Sequence, residues 1–232
     1  MTLDQLFAAF YTQYRVEATT PLSTDPEYII FTSLANEAIN RWAHYDNTFW
    51  KELFDTAQVD GSADLTITSG TVQYTAPDNM QEAGGFIRLY DTNGVTQRRI
   101  PILEPQDAQF KSDLMSYAYF TGDSNNGFLL NLNPVPDTAI LGLNIDYVYY
   151  KKPTLLVSGN DVPEMSEPYF IVHRALASRF RGSRNPYYGA AKDDAEDVLK
   201  TMQLTNNSGN WSDPWKLADN SGSVWGRTWG GR

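Results

Sequence analysis

NLNPVPDTAILGLNIDYVYYKKPTLLVSGNDVPEMSEPYFIVHRALASRF, residues 131–180, changes its hydrophobic period part-way along. Its first half holds the end of a strand, a turn with Pro134 and Pro136, and an alternating run that sets Leu143, Ile145, Tyr147 and Tyr149 on one side of a long strand. Lys151-Lys152-Pro153 closes that run, and an acidic loop, residues 160–167, follows. From Ser166 the spacing becomes helical, with Ser166 as the expected N-cap, Pro168 in the first turn and Gly182 at the stop. A β-domain thus hands the chain to helices, with the acidic loop as the hinge, and the fold class is α+β.

Upstream, Leu3, Leu6, Phe7, Phe10, Tyr11 and Tyr14 recur at helical spacing behind a Thr2–Gln5 capping box. A second helix begins at Thr24-Asp25-Pro26-Glu27, where Thr24 and Glu27 have capping-box spacing. Its apolar face is expected to hold Ile30, Leu34, Ala38 and Trp42, with Phe31 and Ile39 beside them. TFWKELF either continues this helix or starts another turn. From about Asp64 the period becomes alternating. LTITSGTVQYTA reads as two short strands about a Ser-Gly turn, and GGFIRLYDTNGVTQRRIPIL as a hairpin with positive φ angles at Asn93-Gly94. EPQDAQFKSDLM is helix-compatible, and SYAYFTG and GFLLNL flank a polar turn.

Downstream, a helix starting near Asn185-Pro186 is expected to align Tyr187, Ala191, Ala195, Val198 and Met202. The three residues from Gly182 to Arg184 fold it back on the preceding helix as a hairpin. After Leu204, TNNSGNWSDPWKLADNSGSVWGRTWGGR is too rich in Gly and Ser to build a core and reads as a segment that orders on a partner. The expected organisation is N-terminal helices over 1–58, an inserted antiparallel β-sandwich or barrel over 59–158, a C-terminal helical hairpin over 159–204 that completes a bundle with the first helices, and an extended tail over 205–232.

Composition narrows the function. With 232 residues, 41% hydrophobic and 20% charged, the chain can bury a sizeable core. No apolar run reaches the roughly 20 residues that cross a bilayer, and MTLDQLFAAFYTQYR has acid where a secretory signal carries base, so no membrane partner or export is expected. Cysteine is absent, which removes disulfides, thiolate metal sites and thiol nucleophiles. Residues 1–170 carry 9 Lys and Arg against 22 Asp and Glu, a net of −13, whereas residues 171–232 come to +3. The body lacks the basic face that general nucleic-acid binding needs.

Catalytic groupings are scarce. His44 and His173 each lie inside an expected helix, where structural or surface roles suffice. Asp161, Glu164 and Glu167 read as an acidic loop with favourable charge at a helix N-terminus. Asp91–Gly94 and Asp123–Gly127 resemble pieces of calcium loops but lack the bidentate Glu and are better explained as turns. No phosphate-cradling loop or nucleophile elbow occurs, and no cofactor, metal or catalytic residue is expected. Two features stand out near the C-terminus. Arg174, Arg179, Arg181 and Arg184 fall within eleven residues and could form salt bridges to a partner. Trp211, Trp215, Trp225 and Trp229 sit in the tail, and exposed tryptophan is typical of interface anchors.

The order of elements resembles the head-to-tail adaptor, or connector-ring, proteins of tailed bacteriophages. The resemblance spans about residues 24–203. It rests on LANEAINRWAHYDNTFW, on Tyr74 with Pro77 and Asp78, and on the polar segment from Glu104 to Phe110. GFLLNLNPVPD, NIDYVYYKKP, NDVPEM and FIVHRALASRF complete it. It implies a structural virion protein of the neck, assembled in the host bacterial cytoplasm as a ring, usually of twelve subunits, beneath the portal. The helices would pack against neighbours, the β-domain would face tail or nozzle proteins, and the C-terminal extension would reach the portal. DNA would slide through the channel without specific binding, which suits an acidic body. Two other classes compete: a carbohydrate-binding β-sandwich using Tyr147 and Tyr149, and a carboxylate hydrolase using Glu164. No tryptophan between Lys51 and Asn210 supplies the first with its best stacking residue.

Overall fold

The computed structural model describes residues 1–14, 24–58, 65–104, 116–123 and 126–208. They divide into two units, one formed by Met1–Leu53 with the chain from Pro153, the other by Phe54–Lys152. The expected polar helix after Glu104 lies outside the described residues, as does the chain beyond 208.

In the first unit, α1 (Leu3–Tyr14) opens with the capping box its sequence spells out: the Thr2 amide donates to Gln5 Oε1 at 3.0 Å and the Gln5 amide to Thr2 Oγ1 at 3.3 Å. It buries Leu3, Leu6, Phe7, Phe10 and Tyr11. Next comes α2 (Pro26–Ala43), whose N-cap is Asp25 rather than Thr24; the Asp25 carboxylate accepts the Glu27 amide at 2.9 Å. With Asp25 at the N-cap, the box position three residues on is Tyr28, so Glu27 closes no box and its carboxylate meets Arg179 instead. The buried face of α2 carries Phe31, Ala35, Ala38, Ile39 and Trp42, while Ile30 is 37% exposed. The expected stripe is thus rotated, because Phe31 packs on Phe7 and Phe10 and fixes which side faces inward. TFWKELF does not extend the helix. A 3₁₀ turn at Lys51–Leu53 ends the unit and a strand begins at Phe54.

The C-terminal half supplies α3 (Tyr169–Ser183) and α4 (Tyr188–Ser208), and α3 packs against α1, α2 and α4. Pro168, not Ser166, occupies the N-cap of α3, and Gly182 lies inside the helix. The left-handed residue that stops α3 is Arg184, at φ 54°. Asn185 and Pro186 do start α4: the Asn185 side chain accepts the Tyr187 amide at 2.9 Å. Ala191, Ala195, Leu199 and Met202 are buried on α4, whereas Tyr187, expected on that stripe, is 68% exposed.

The second unit is antiparallel. Its strands are β1 (Phe54–Ala57), β2 (Gln73–Thr75), β3 (Met80–Ala83), β4 (Phe86–Tyr90), β5 (Thr96–Pro101), β6 (Tyr117–Asp123), β7 (Gly127–Asn133) and β8 (Asn144–Lys151). One sheet runs β1-β8-β4-β5 with β3 also on β8, and the other runs β2-β7-β6. Neither closes, so the barrel alternative is excluded. The two arms of LTITSGTVQYTA do not pair with each other. Thr66 bridges to Asn144 of β8, and Tyr74 pairs with Leu130 of β7. The β4–β5 hairpin forms as expected, but only Gly94 takes positive φ; the Asp91 carboxylate closes the loop by accepting the Asn93 and Val95 amides.

Both sheets contribute to one buried cluster. Ile145, Tyr147 and Tyr149 of β8 enter it with Leu89, Ile100, Leu130 and Leu132. The Tyr147 hydroxyl finds no hydrogen-bond partner among the described residues, and burial pushes its phenol up. Tyr147→Phe removes a desolvated hydroxyl while keeping the ring contact with Phe120 at 5.4 Å. Urea unfolding is expected to show the variant unchanged or up to about 1 kcal/mol more stable; a loss of that size would mean the hydroxyl is bonded.

Candidate interaction surfaces

The four arginines fall into two pairs. Arg179 donates to Glu27 Oε1 at 2.5 Å and places its guanidinium 5.4 Å from the centre of the Tyr14 ring. Arg174 lies 3.9 Å from Glu37. Both therefore meet carboxylates of their own chain, tying α3 to α2. Arg181 and Arg184, at the end of α3, are exposed and hold no carboxylate among the described residues. Trp211, Trp215, Trp225 and Trp229 lie outside the described residues.

Helix α4 continues past the expected end at Leu204. Asn206 is buried there; its Oδ1 accepts the Lys51 amide at 3.1 Å and its Nδ2 donates to the Phe49 carbonyl at 2.8 Å. The last turn of α4 thereby secures the segment that follows α2.

The expected hinge is held firmly within the helical unit. The Asn36 side chain pairs with the backbone of Leu156 in both directions, donating to its carbonyl at 2.9 Å and accepting its amide at 2.8 Å. The Leu3 and Asp4 amides at the start of α1 donate to the Asp161 and Gly159 carbonyls. A Cβ on Gly159 would meet the Asp4 carboxylate, so a larger residue there must displace that side chain. Asp161 accepts the Ser158 and Val157 amides, both at 2.7 Å, and these bonds hold its carboxyl below the usual range. Glu164 accepts the Thr154 amide at 3.1 Å. These acids organise a loop; each is bound to backbone in the manner of a turn cap rather than paired with another carboxyl.

That rigid loop presents aliphatic side chains to solvent, which the sequence reading had passed over. Val157 is 83% exposed, Val162 58% and Leu155 45%. The only hint in PTLLVSGNDVP was apolar residues continuing beyond a strand's end into a Gly- and Asn-bearing turn.

In the β-unit, Arg88, Asp146 and Asn131 find partners inside the unit, whereas the buried Tyr147 hydroxyl and Asn133 Nδ2 find none among the described residues. Arg88 of β4 grips Asp146 of β8, its Nε 2.9 Å from both carboxylate oxygens. Asn131 accepts from Gln73 and donates to Thr121 Oγ1 and to the Tyr119 and Leu129 carbonyls. Tyr147 and Tyr149 are core residues and cannot form the sugar platform that the carbohydrate reading required. His44 bonds the Asn40 carbonyl and His173 lies 4.0 Å from Asp194. Among the described residues no three His, Asp or Glu side chains are grouped to hold a metal ion, and no helix is long and apolar enough to cross a membrane.

The described residues thus make an α+β chain of one helical and one antiparallel unit, in an acidic sequence. The chain belongs to the SU10 adaptor protein family, a phage head-to-tail adaptor family, whose model matches residues 1–217. Membership makes it a structural component of the phage virion that contacts other head and tail proteins. No curated protein matches the chain.

Proposed function

We propose that the chain is one subunit of a connector ring, usually of twelve copies in proteins it resembles, set beneath the portal and lining the DNA channel. The family match over residues 1–217 carries this reading. The helical unit is the scaffold between neighbours, as a bundle. The β-unit, packed as a sandwich, faces tail or nozzle proteins, and the Trp-bearing tail reaches the portal. Net charge of −13 over residues 1–170 keeps DNA from adhering as it slides.

The test is a truncation whose boundary must respect Asn206. Removing 205–232 would also remove the bonds of Asn206 to Lys51 and Phe49, so the informative variant ends at residue 208. Mixed with purified portal rings and imaged by cryo-electron microscopy, the full chain is expected to add a ring beneath the portal and the truncated chain to stay folded but unbound. Undiminished docking of the truncated chain overturns the role of the tail; failure of the full chain to dock overturns the adaptor position itself.

A further inference from the structure

The segments that flank α3 in the chain are chemically opposite. The loop before it carries the exposed Leu155, Val157 and Val162, with Asp161, Glu164 and Glu167 in the same stretch of sequence. The last turn of α3 and the residues after it carry the exposed Arg181 and Arg184 and the 68% exposed Tyr187.

We propose that these segments are the two halves of a single head-to-tail contact, in which the Arg181–Arg184–Tyr187 corner of one copy docks on the Leu155–Val162 loop of the next. The proposal rests on the ring reading and deepens it by assigning the surfaces. Charge complementarity favours this occupant, since a basic corner and an acidic loop on the same chain attract between copies and set the direction of docking. Apolar side chains lie at the centre of the loop, and Tyr and Arg, the residue types enriched at interfaces, supply the other half. The loop is pre-organised by Asn36, Asp161 and the start of α1, so docking orders little new backbone. A contact between unlike surfaces adds copies in one sense only, which closes a ring when the rotation permits.

Two disabled chains test this. Val157→Asp spoils the loop and leaves the corner; Arg181→Glu with Arg184→Glu spoils the corner and leaves the loop. All these side chains are exposed, and circular dichroism checks that both variants fold. In sedimentation over a concentration series, each variant alone is expected to need at least about tenfold more protein than the wild type to assemble. An equimolar mixture is expected to form pairs and stop there, because each pair joins one intact corner to one intact loop and exposes two spoiled halves. Added salt should weaken the wild-type assembly. Variants that assemble like the wild type, or a mixture that forms no pairs, overturn the surface assignment while the ring stands. A wild-type chain that stays monomeric both free and on portal rings removes the ring reading, and this contact with it.

Discussion

Trp50→Ala is expected to lower the unfolding free energy of the helical unit by about 3–5 kcal/mol, the range for removing a buried large aromatic. Trp50 is 1% exposed, and its ring centroid lies 5.4 Å from that of Trp42. Its indole N–H donates to the Trp42 carbonyl at 2.6 Å. That carbonyl belongs to the last turn of α2, where carbonyls lack the usual partner four residues on. The side chain thus fills the core and helps finish a helix. Trp50→Phe separates the two roles: it keeps most of the volume but loses the hydrogen bond, and should cost about 1–2 kcal/mol. Urea unfolding followed by helical circular dichroism reads both. An alanine variant that loses less than the phenylalanine variant would show that the cavity collapses and that packing is not what Trp50 contributes.

The second large effect is expected at Arg179. Its side chain is 30% exposed and that of its partner Glu27 only 12%. Arg179→Ala takes the guanidinium from the largely buried Glu27 carboxylate and from the Tyr14 ring, and is expected to cost about 2–4 kcal/mol, somewhat under the cost of breaking a fully buried pair. Changing both residues, Arg179→Met with Glu27→Gln, should recover much of the loss because no uncompensated charge remains. Additive losses in this double-mutant cycle would mean the pair is not coupled. Arg184→Ala, at an exposed helix stop without a carboxylate among the described residues, is the control and should stay within about 0.5 kcal/mol. Four clustered arginines therefore separate into a pair that holds helices together and a pair exposed on the surface.

Elements governed by short-range rules were legible in the residues. The Thr2–Gln5 box, the β4–β5 and β6–β7 hairpins and the inward face of β8 each depend on neighbours a few positions away, and all appear as read. The readings that failed were those where a distant group took over. The Glu27 carboxylate, read as half of a capping box, instead meets Arg179, 152 positions on. Ile30 gave up its core place because the aromatic rings of α1 chose the adjacent face of α2. The acidic loop over residues 160–167, read as a hinge, is tied to the start of α1, where the Leu3 amide donates to the Asp161 carbonyl.

By itself, then, the sequence determined the α+β class, the kind of each major element, the charge division and the likeness to phage adaptors, since periodicity, turn chemistry and composition are properties of nearby residues. Only the tertiary structure decided which sheet each arm of residues 65–75 joins, that the sheets stay open, and which arginines remain available. Those outcomes depend on packing between segments far apart in the chain, where one residue's partner is selected by the whole fold.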